Sequence, residues 1–237
     1  MNDGSTDITN QILVEFYTNT QITIMRQENL GLPIALNSGF AIAKGAFLTW
    51  TSADNLMEPT ALSVLVNALK KEKNVGLVYA DYTVVDVDGT EIDRSNTWRN
   101  YDRTGSDPSV VKLGSPRKIY RCIPTNFIGP YFLYRSEIAE KLFGYGNIPG
   151  IEDWDYWLRM QFITKFKHVK TNGKQYLYRI HSNSMSSKIK ANNQMLDTVL
   201  LFRSIAKDRL RAGTIEEKIS PGISEKHYRA VSKDLRI

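Results

Sequence analysis

Four clusters in this 237-residue sequence have residue types and spacings that chemistry can use. The first is Thr51-Ser52-Ala53-Asp54-Asn55, which follows the apolar run Ala46 to Trp50. A carboxylate such as Asp54 at a strand end can hold a hard divalent cation, and the cation can hold a diphosphate. The plainer alternative is a turn, or a cap for the helix that follows. The second is Glu152-Asp153-Trp154-Asp155. A carboxylate held ionised by backbone N–H groups at a helix start can act as a general base, and Trp154 and Trp157 can stack on rings that present an apolar C–H face. Acidic residues in a first helical turn also complement the helix dipole, so ordinary helix design is the alternative. The third is Tyr178-Arg179-Ile180-His181, where Arg179 or His181 can bind phosphate and His181 can ligate a metal, unless the two are a surface basic pair. The fourth, Asp3-Gly4-Ser5-Thr6-Asp7, reads either as part of a site or as a capped helix start.

The elements that must position these clusters follow from hydrophobic periodicity. Ile8 to Tyr17 has helical spacing, with Ser5 and Thr6 offering cap oxygens. Gln21 to Arg26 reads as a strand, Leu32 to Ala43 as a helix and Ala46 to Trp50 as a strand. Pro59 suits the first turn of a helix running to about Lys71. Val75 to Asp86 is apolar and β-branched, hence one strand, with Asp88-Gly89 as a hairpin turn. Ser95 to Pro116 is a long irregular connection. Asn126 to Tyr134 reads as a strand, and Ser136 to Phe143 and Glu152 to Phe162 as helices. Phe166 to Lys170 and Gln175 to Ile180 read as strands, and Lys190 to Arg211 as a helix. This alternation predicts an α/β fold with a mostly parallel sheet and helices on both faces. In such sheets ligands bind beyond the carboxyl ends of the strands.

Composition narrows the class. A hydrophobic fraction of 42% supports a packed core. No run approaches the ~20 apolar residues of a membrane helix. The polar, acidic MNDGSTD opening has no secretory-signal pattern. The single cysteine, Cys122, excludes an internal disulfide framework and a cysteine-built zinc site. A cytoplasmic, reducing setting is expected.

Taken together and in order, the clusters resemble those of family 2 glycosyltransferases of the GT-A fold, over about residues 2 to 187. NDGSTD resembles the D-D-G-S-x-D segment of that family. ENLGLPIALNSGFAIAKGAFLTW resembles its N-x-G-x-x-x-A-x-N-x-G-x-x-x-A-x-G stretch, at Asn29, Gly31, Ala35, Asn37, Gly39, Ala43 and Gly45. TSADNLMEP resembles the D-x-D segment, GIEDWDYWLR the E-D segment and YRIHSNSMS the Y-R-x-H segment. The resemblance implies a GT-A-like domain over 1–187 with a basic helical extension over 188–237. It also implies transfer of a sugar, with inversion, from a nucleotide-sugar donor to an acceptor hydroxyl, assisted by Mn2+ or Mg2+.

Residue by residue, it places Asp153 on the catalytic base and Asp3, Ser52, Asp54 and Arg179 against the donor. Asp54 and His181 fall at the metal, and Glu152 and Trp154 beside the acceptor. Ser52 stands where the first Asp of D-x-D is usual, and Asn55 at the following acidic position. The family also has a strand, a helix and a strand ahead of the D-D-G-S segment, roughly 30 to 40 residues by usual element lengths. A chain that starts at NDGSTD is therefore expected to be N-terminally truncated and to expose unpaired sheet edges.

Two other classes compete. A nucleotidyltransferase would show a Gly-rich basic phosphate loop, which the sequence lacks. A catalytically impaired domain that only binds glycan or nucleotide is favoured by Ser52 and Asn55 and opposed by the Asp153 segment. The charge is uneven: residues 1–159 carry 15 Lys/Arg against 19 Asp/Glu, whereas 160–237 carry 16 against 6. The scattered basic residues accompany no nucleic-acid recognition motif, so no nucleic acid is expected. Lys188, Lys190, Arg203, Lys207, Arg209 and Arg211 suit peripheral contact with an anionic inner membrane face, where a glycan or lipid-linked acceptor would lie. A solvated helix closing the domain is the alternative.

Overall fold

A computed structural model describes residues 1–93, 107–113, 115–116, 127–148, 150 and 152–184. The predicted helix Lys190 to Arg211, the 188–237 extension and most of the Ser95 to Pro116 connection lie outside these residues. The chain runs β1 (Asn2–Asp3), α1 (Thr9–Val14), β2 (Arg26–Gln27), α2 (Leu32–Ile42), β3 (Phe47–Leu48), β4 (Leu56–Met57) and α3 (Ala61–Lys71). It continues through β5 (Val75–Ala80), β6 (Tyr82–Val85), β7 (Val110–Val111), β8 (Phe132–Arg135) and α4 (Ser136–Glu140), and then α5 (Glu152–Ile163), β9 (Lys165–Val169) and β10 (Tyr176–Arg179). Among the described residues no helix is long and apolar enough to cross a membrane.

The α/β expectation holds, but the sheets are mixed rather than mostly parallel. The strand orders are β1-β2, β3-β8-β5-β9 and β4-β10-β6-β7. β1/β2, β5/β9 and β6/β10 are parallel, whereas β8 runs antiparallel to both β3 and β5, and β4 and β7 run antiparallel to β10 and β6. Hydrophobic periodicity identifies a strand without giving its direction, which the connections decide. β2 and β3 are shorter than the predicted strands Gln21 to Arg26 and Ala46 to Trp50, with two paired residues each. Ser5 and Thr6 do not cap α1. Its start at Thr9 is held by Asp7, whose carboxylate accepts the Thr9 N–H at 2.9 Å.

The core sits between α3, the β5 sheet and α5. Ala61, Leu65 and Leu69 recur at helical spacing and are fully buried against β5 and β8. One side chain ties the end of α3 to the start of β5: Arg135 donates to Leu69 O at 2.8 Å, Glu72 O at 3.1 Å and Val75 O at 3.0 Å. α5 contributes Tyr156, Trp157, Leu158 and Met160, and Tyr156 stacks on Tyr145 at 4.0 Å. By contrast α1 buries none of its residues, and Ile8, Ile12, Val14, Phe16 and Tyr17 are exposed. Among the described residues β1 pairs only with β2, and β3 only with β8.

The predicted strand Val75 to Asp86 is two strands in two sheets, divided at Asp81. Asp81 is fully buried. Its carboxylate accepts the Leu113 N–H at 2.9 Å and the Thr171 N–H at 3.3 Å, and lies 2.8 Å from His168 Nε2 and 3.4 Å from Lys112 Nζ. A carboxylate so well bonded can be buried, and it joins β5 and β6 to β9 and the segment after β7. Burial alone would raise its pKa. The His168 and backbone hydrogen bonds more than offset that, and the pKa falls below the ordinary 3.8. Ionised Asp81 therefore stabilises the fold fully above pH 3.8, and this contribution is lost as the pH falls from there through the lower folded value. Asp81→Asn is expected to lower the urea midpoint at neutral pH. The gap from wild type should narrow as titrations are moved below pH 3.8; a constant gap would count against the ionised role.

Candidate active site

The N-terminal cluster is built by close backbone approach. Gly4 has φ +74° and passes so near the next segment that a Cβ there would meet Asn29 N at 2.5 Å, so only glycine fits. That approach brings Asp3 onto the turn before α2. Its carboxylate accepts the Leu30 N–H at 3.0 Å, the Gly31 N–H at 2.9 Å and Gln27 Nε2–H at 2.6 Å. Desolvation works against ionisation, but these three bonds outweigh it and hold the Asp3 pKa below its ordinary value. Asp3 lines the cavity described next, yet its carboxylate is taken up in joining β1, β2 and α2.

A cavity of about 720 Å³ lies between β1, α2 and β3. Leu32, Leu36, Phe40, Phe47 and Leu48 make it apolar along its length, and Asp3, Thr51 and Ser52 supply polar groups. Ser52 and Ala53 lead directly into Asp54.

Asp54 and His181, 127 positions apart, are brought together: His181 Nε2 lies 2.9 Å from Asp54 Oδ2. The pair is partly open, with side-chain exposures of 26% for His181 and 33% for Asp54, so a ligand can reach it. Asp54 Oδ1 is buried and has no hydrogen-bond partner among the described residues. An imidazole nitrogen beside a carboxylate with one unsatisfied oxygen fits a Mn2+- or Mg2+-sized hard cation whose other ligands come from phosphate and water. Among the described residues no group of three or more His, Cys, Asp or Glu could hold a metal by itself.

Arg179, expected against the donor, is engaged with main-chain carbonyls. It donates to Asp54 O at 2.8 Å, Asp86 O at 2.8 Å and Val87 O at 2.5 Å. The side chain clamps the loop that carries Asp54 to the hairpin after β6.

The Glu152 cluster does start a helix. Asp153 is partly exposed in the first turn of α5, and its Oδ1 accepts the Trp154 N–H at 2.7 Å. Glu152, expected beside the acceptor, is instead buried, and its carboxylate accepts the Gly150 N–H at 2.6 Å. Trp154 is half-buried and packs on the core, and Trp157 is fully buried, which excludes it as a stacking platform. Tyr145 ties the α5 start to the cavity rim. Its hydroxyl accepts Trp50 Nε1–H at 3.1 Å, and Trp50 lines the cavity ahead of Thr51. Burial, with the Tyr156 and Asp153 charges adding to it, keeps the Tyr145 phenol protonated far above its usual range. Through its stack on Tyr156 and its bond from Trp50, Tyr145 links α5 to the strand end that leads to Asp54.

Sequence reasoning missed three contributors. A charged residue inside the apolar run 75–86 was the signal for Asp81. Nothing in the sequence marked Tyr145 or Tyr176, whose roles depend on hydroxyl contacts across about a hundred positions.

The mixed sheets flanked by helices, with an Asp–His pair at a strand end, define an α/β domain with a GT-A-like fold. Residues 1–143 match the family described as Glycosyl transferase family 2, and the chain belongs to that family. It is 24% identical over 212 residues to chondroitin synthase of Pasteurella multocida (strain Pm70), covering 88% of this chain and 20% of the relative. It is 26% identical over 190 residues to hyaluronan synthase of P. multocida, covering 79% and 18%. Against chondroitin synthase of Escherichia coli it is 24% identical over 224 residues, covering 92% and 29%. The chain thus spans less than a third of these relatives' lengths. The crystal structure of S. aureus TarS 1-349 superposes with a TM-score of 0.57 at 13% identity, covering 99% of this chain and 59% of that one, which shows a shared fold.

Proposed function

We propose that this domain transfers a sugar from a nucleotide-sugar to an acceptor hydroxyl, with inversion and with a divalent cation, in the assembly of a polysaccharide. The observation that carries this reading is the Asp54–His181 pair, with its unsatisfied buried carboxylate oxygen, next to the polar Thr51–Ser52 end of the cavity. Asp54 and His181 would hold the cation, which when bound neutralises charge developing on a departing nucleoside diphosphate. Asp153 takes the proton from the acceptor oxygen. One in-line displacement then forms the new glycosidic bond as the bond to the diphosphate breaks, and it needs only this one base. Asp153 stands in the first turn of α5, where its carboxylate accepts the Trp154 N–H and remains partly exposed to an incoming hydroxyl. Membership of the family supports transfer from a nucleotide-sugar, and the polysaccharide synthases among the relatives support a glycan acceptor.

The test is nucleoside diphosphate release from a panel of nucleotide-sugars, with Mn2+, with Mg2+ and with chelator. Release from at least one donor, abolished by chelator, is expected, and the transferred sugar should show the opposite anomeric configuration by NMR. No cation-dependent release from any donor would sink the reading.

A further inference from the structure

The loop that carries Asp54 is closed by a ring of hydrogen bonds to which the reaction itself assigns no part. Tyr176, the first residue of β10, is fully buried. Its ring stacks on Tyr131 at 5.5 Å, and Tyr131 is itself fixed by donating to Ala61 O at 2.7 Å. The backbone of β10 is held by antiparallel pairing with β4 and parallel pairing with β6. The Tyr176 hydroxyl therefore stands at a set point under the loop.

Asn55 reaches this point with one end of its amide and β10 with the other. Asn55 Oδ1 accepts the Arg179 backbone N–H at 3.0 Å, and Asn55 Nδ2 donates to Tyr176 OH at 3.0 Å. The orientation of the amide is forced, because a backbone N–H can only donate. With its oxygen accepting from Asn55, the Tyr176 hydroxyl donates to Thr51 Oγ1 at 2.8 Å, and Thr51 Oγ1 donates to Ser52 O at 3.3 Å. The Asn55 N–H also donates to Ser52 O, at 3.2 Å, and Arg179 Nε holds Asp54 O at 2.8 Å. The residues on both sides of Asp54 are thus pinned to the strand that leads to His181.

We propose that Asn55 and Tyr176 act as one latch that positions Asp54 against His181, so that the cation site is formed before the cation arrives. Both are positioning residues, acting through Asp54. The latch also accounts for an amide where an acid would bring a further ligand: residue 55 must accept from Arg179 and donate to Tyr176, and a carboxylate has no N–H to give. The inference rests on the cation reading of Asp54 and His181, and the experiment separates the two.

Mn2+ binding is followed by loss of the free-ion EPR signal, with and without uridine or guanosine diphosphate. It is measured at a temperature where circular dichroism shows every variant folded. Wild type should bind, and Asp54→Asn should not. Tyr176→Phe, which keeps the ring stack, and Asn55→Ala should each weaken Mn2+ binding by roughly 10- to 100-fold, as loss of a group that orients a ligand does. The double variant should bind no more weakly than the poorer single variant, because either change opens the same ring. If both single variants bind within about twofold of wild type while Asp54→Asn does not bind, the latch is wrong and the cation site stands. Fully multiplicative losses in the double variant would overturn the single device. No binding by wild type in any mixture would overturn the cation reading and the latch with it.

Discussion

Asp153→Asn should lower kcat by ~10²- to 10⁴-fold, the usual contribution of a positioned general base, and leave the donor KM and Mn2+ affinity unchanged. Asparagine has nearly the same shape and keeps an oxygen that can accept the Trp154 N–H, so the start of α5 stays intact. The helix itself is anchored from below by buried Tyr156, Trp157 and Met160, none of which the substitution touches. What asparagine lacks is a lone pair basic enough to take a proton from an alcohol. Steady-state release of nucleoside diphosphate, with the thermal midpoint recorded beside it, checks the prediction. An unchanged kcat would move the base elsewhere, and an equal loss in donor binding would make Asp153 a binding residue.

Asp54→Asn should abolish Mn2+ binding and lower turnover by roughly two to four orders of magnitude. A cation at a departing diphosphate contributes several kcal/mol, and each 1.36 kcal/mol is about tenfold. The loss should not be rescued by excess Mn2+, because the neutral amide removes the charge that attracts the ion. His181→Ala keeps that charge and should regain turnover as Mn2+ is raised, with an increased half-saturation concentration. The contrast matters because Asp54 and His181 also bond to each other. A pair that served only to hold β10 against the loop would lose thermal stability in both variants and show no dependence on Mn2+ in either. Titration of activity with Mn2+ across the three proteins separates these outcomes.

Much of the frame was legible because it is written locally. The spacing of Ala61, Leu65 and Leu69 marks a one-sided helix, and that face is fully buried. Asp88-Gly89 marks a hairpin, and Asp86 and Thr90 pair across it, with the Asp86 N–H donating to Thr90 O at 2.9 Å. Glu152 and Asp153 mark a helix start, where α5 begins. Elsewhere a side chain had two plausible partners, and packing chose the one it engages. Glu152 had the composition of an acceptor contact, but it turns inward to the Gly150 N–H. Arg179 had the charge for a phosphate, but three carbonyls surround it, and a guanidinium with five donors satisfies them at once. Ser5 and Thr6 had cap oxygens, but α1 starts at Thr9, and Asp7 is the residue whose carboxylate accepts the Thr9 N–H.

The sequence by itself determined the α/β alternation, the family motifs and which carboxylates stood at element ends. These follow from periodicity, turn chemistry and the order of residues along the chain, all properties of near neighbours. Only the tertiary structure decided the 2.9 Å contact between Asp54 and His181, which the family resemblance had set at one metal, the division of one apolar run between two sheets at Asp81, and the fastening of the loop beneath Asp54 by Tyr176. Each of these is a hydrogen bond or a close polar contact between groups far apart in the chain. Its existence depends on strand order and direction, which hydrophobic patterning leaves open.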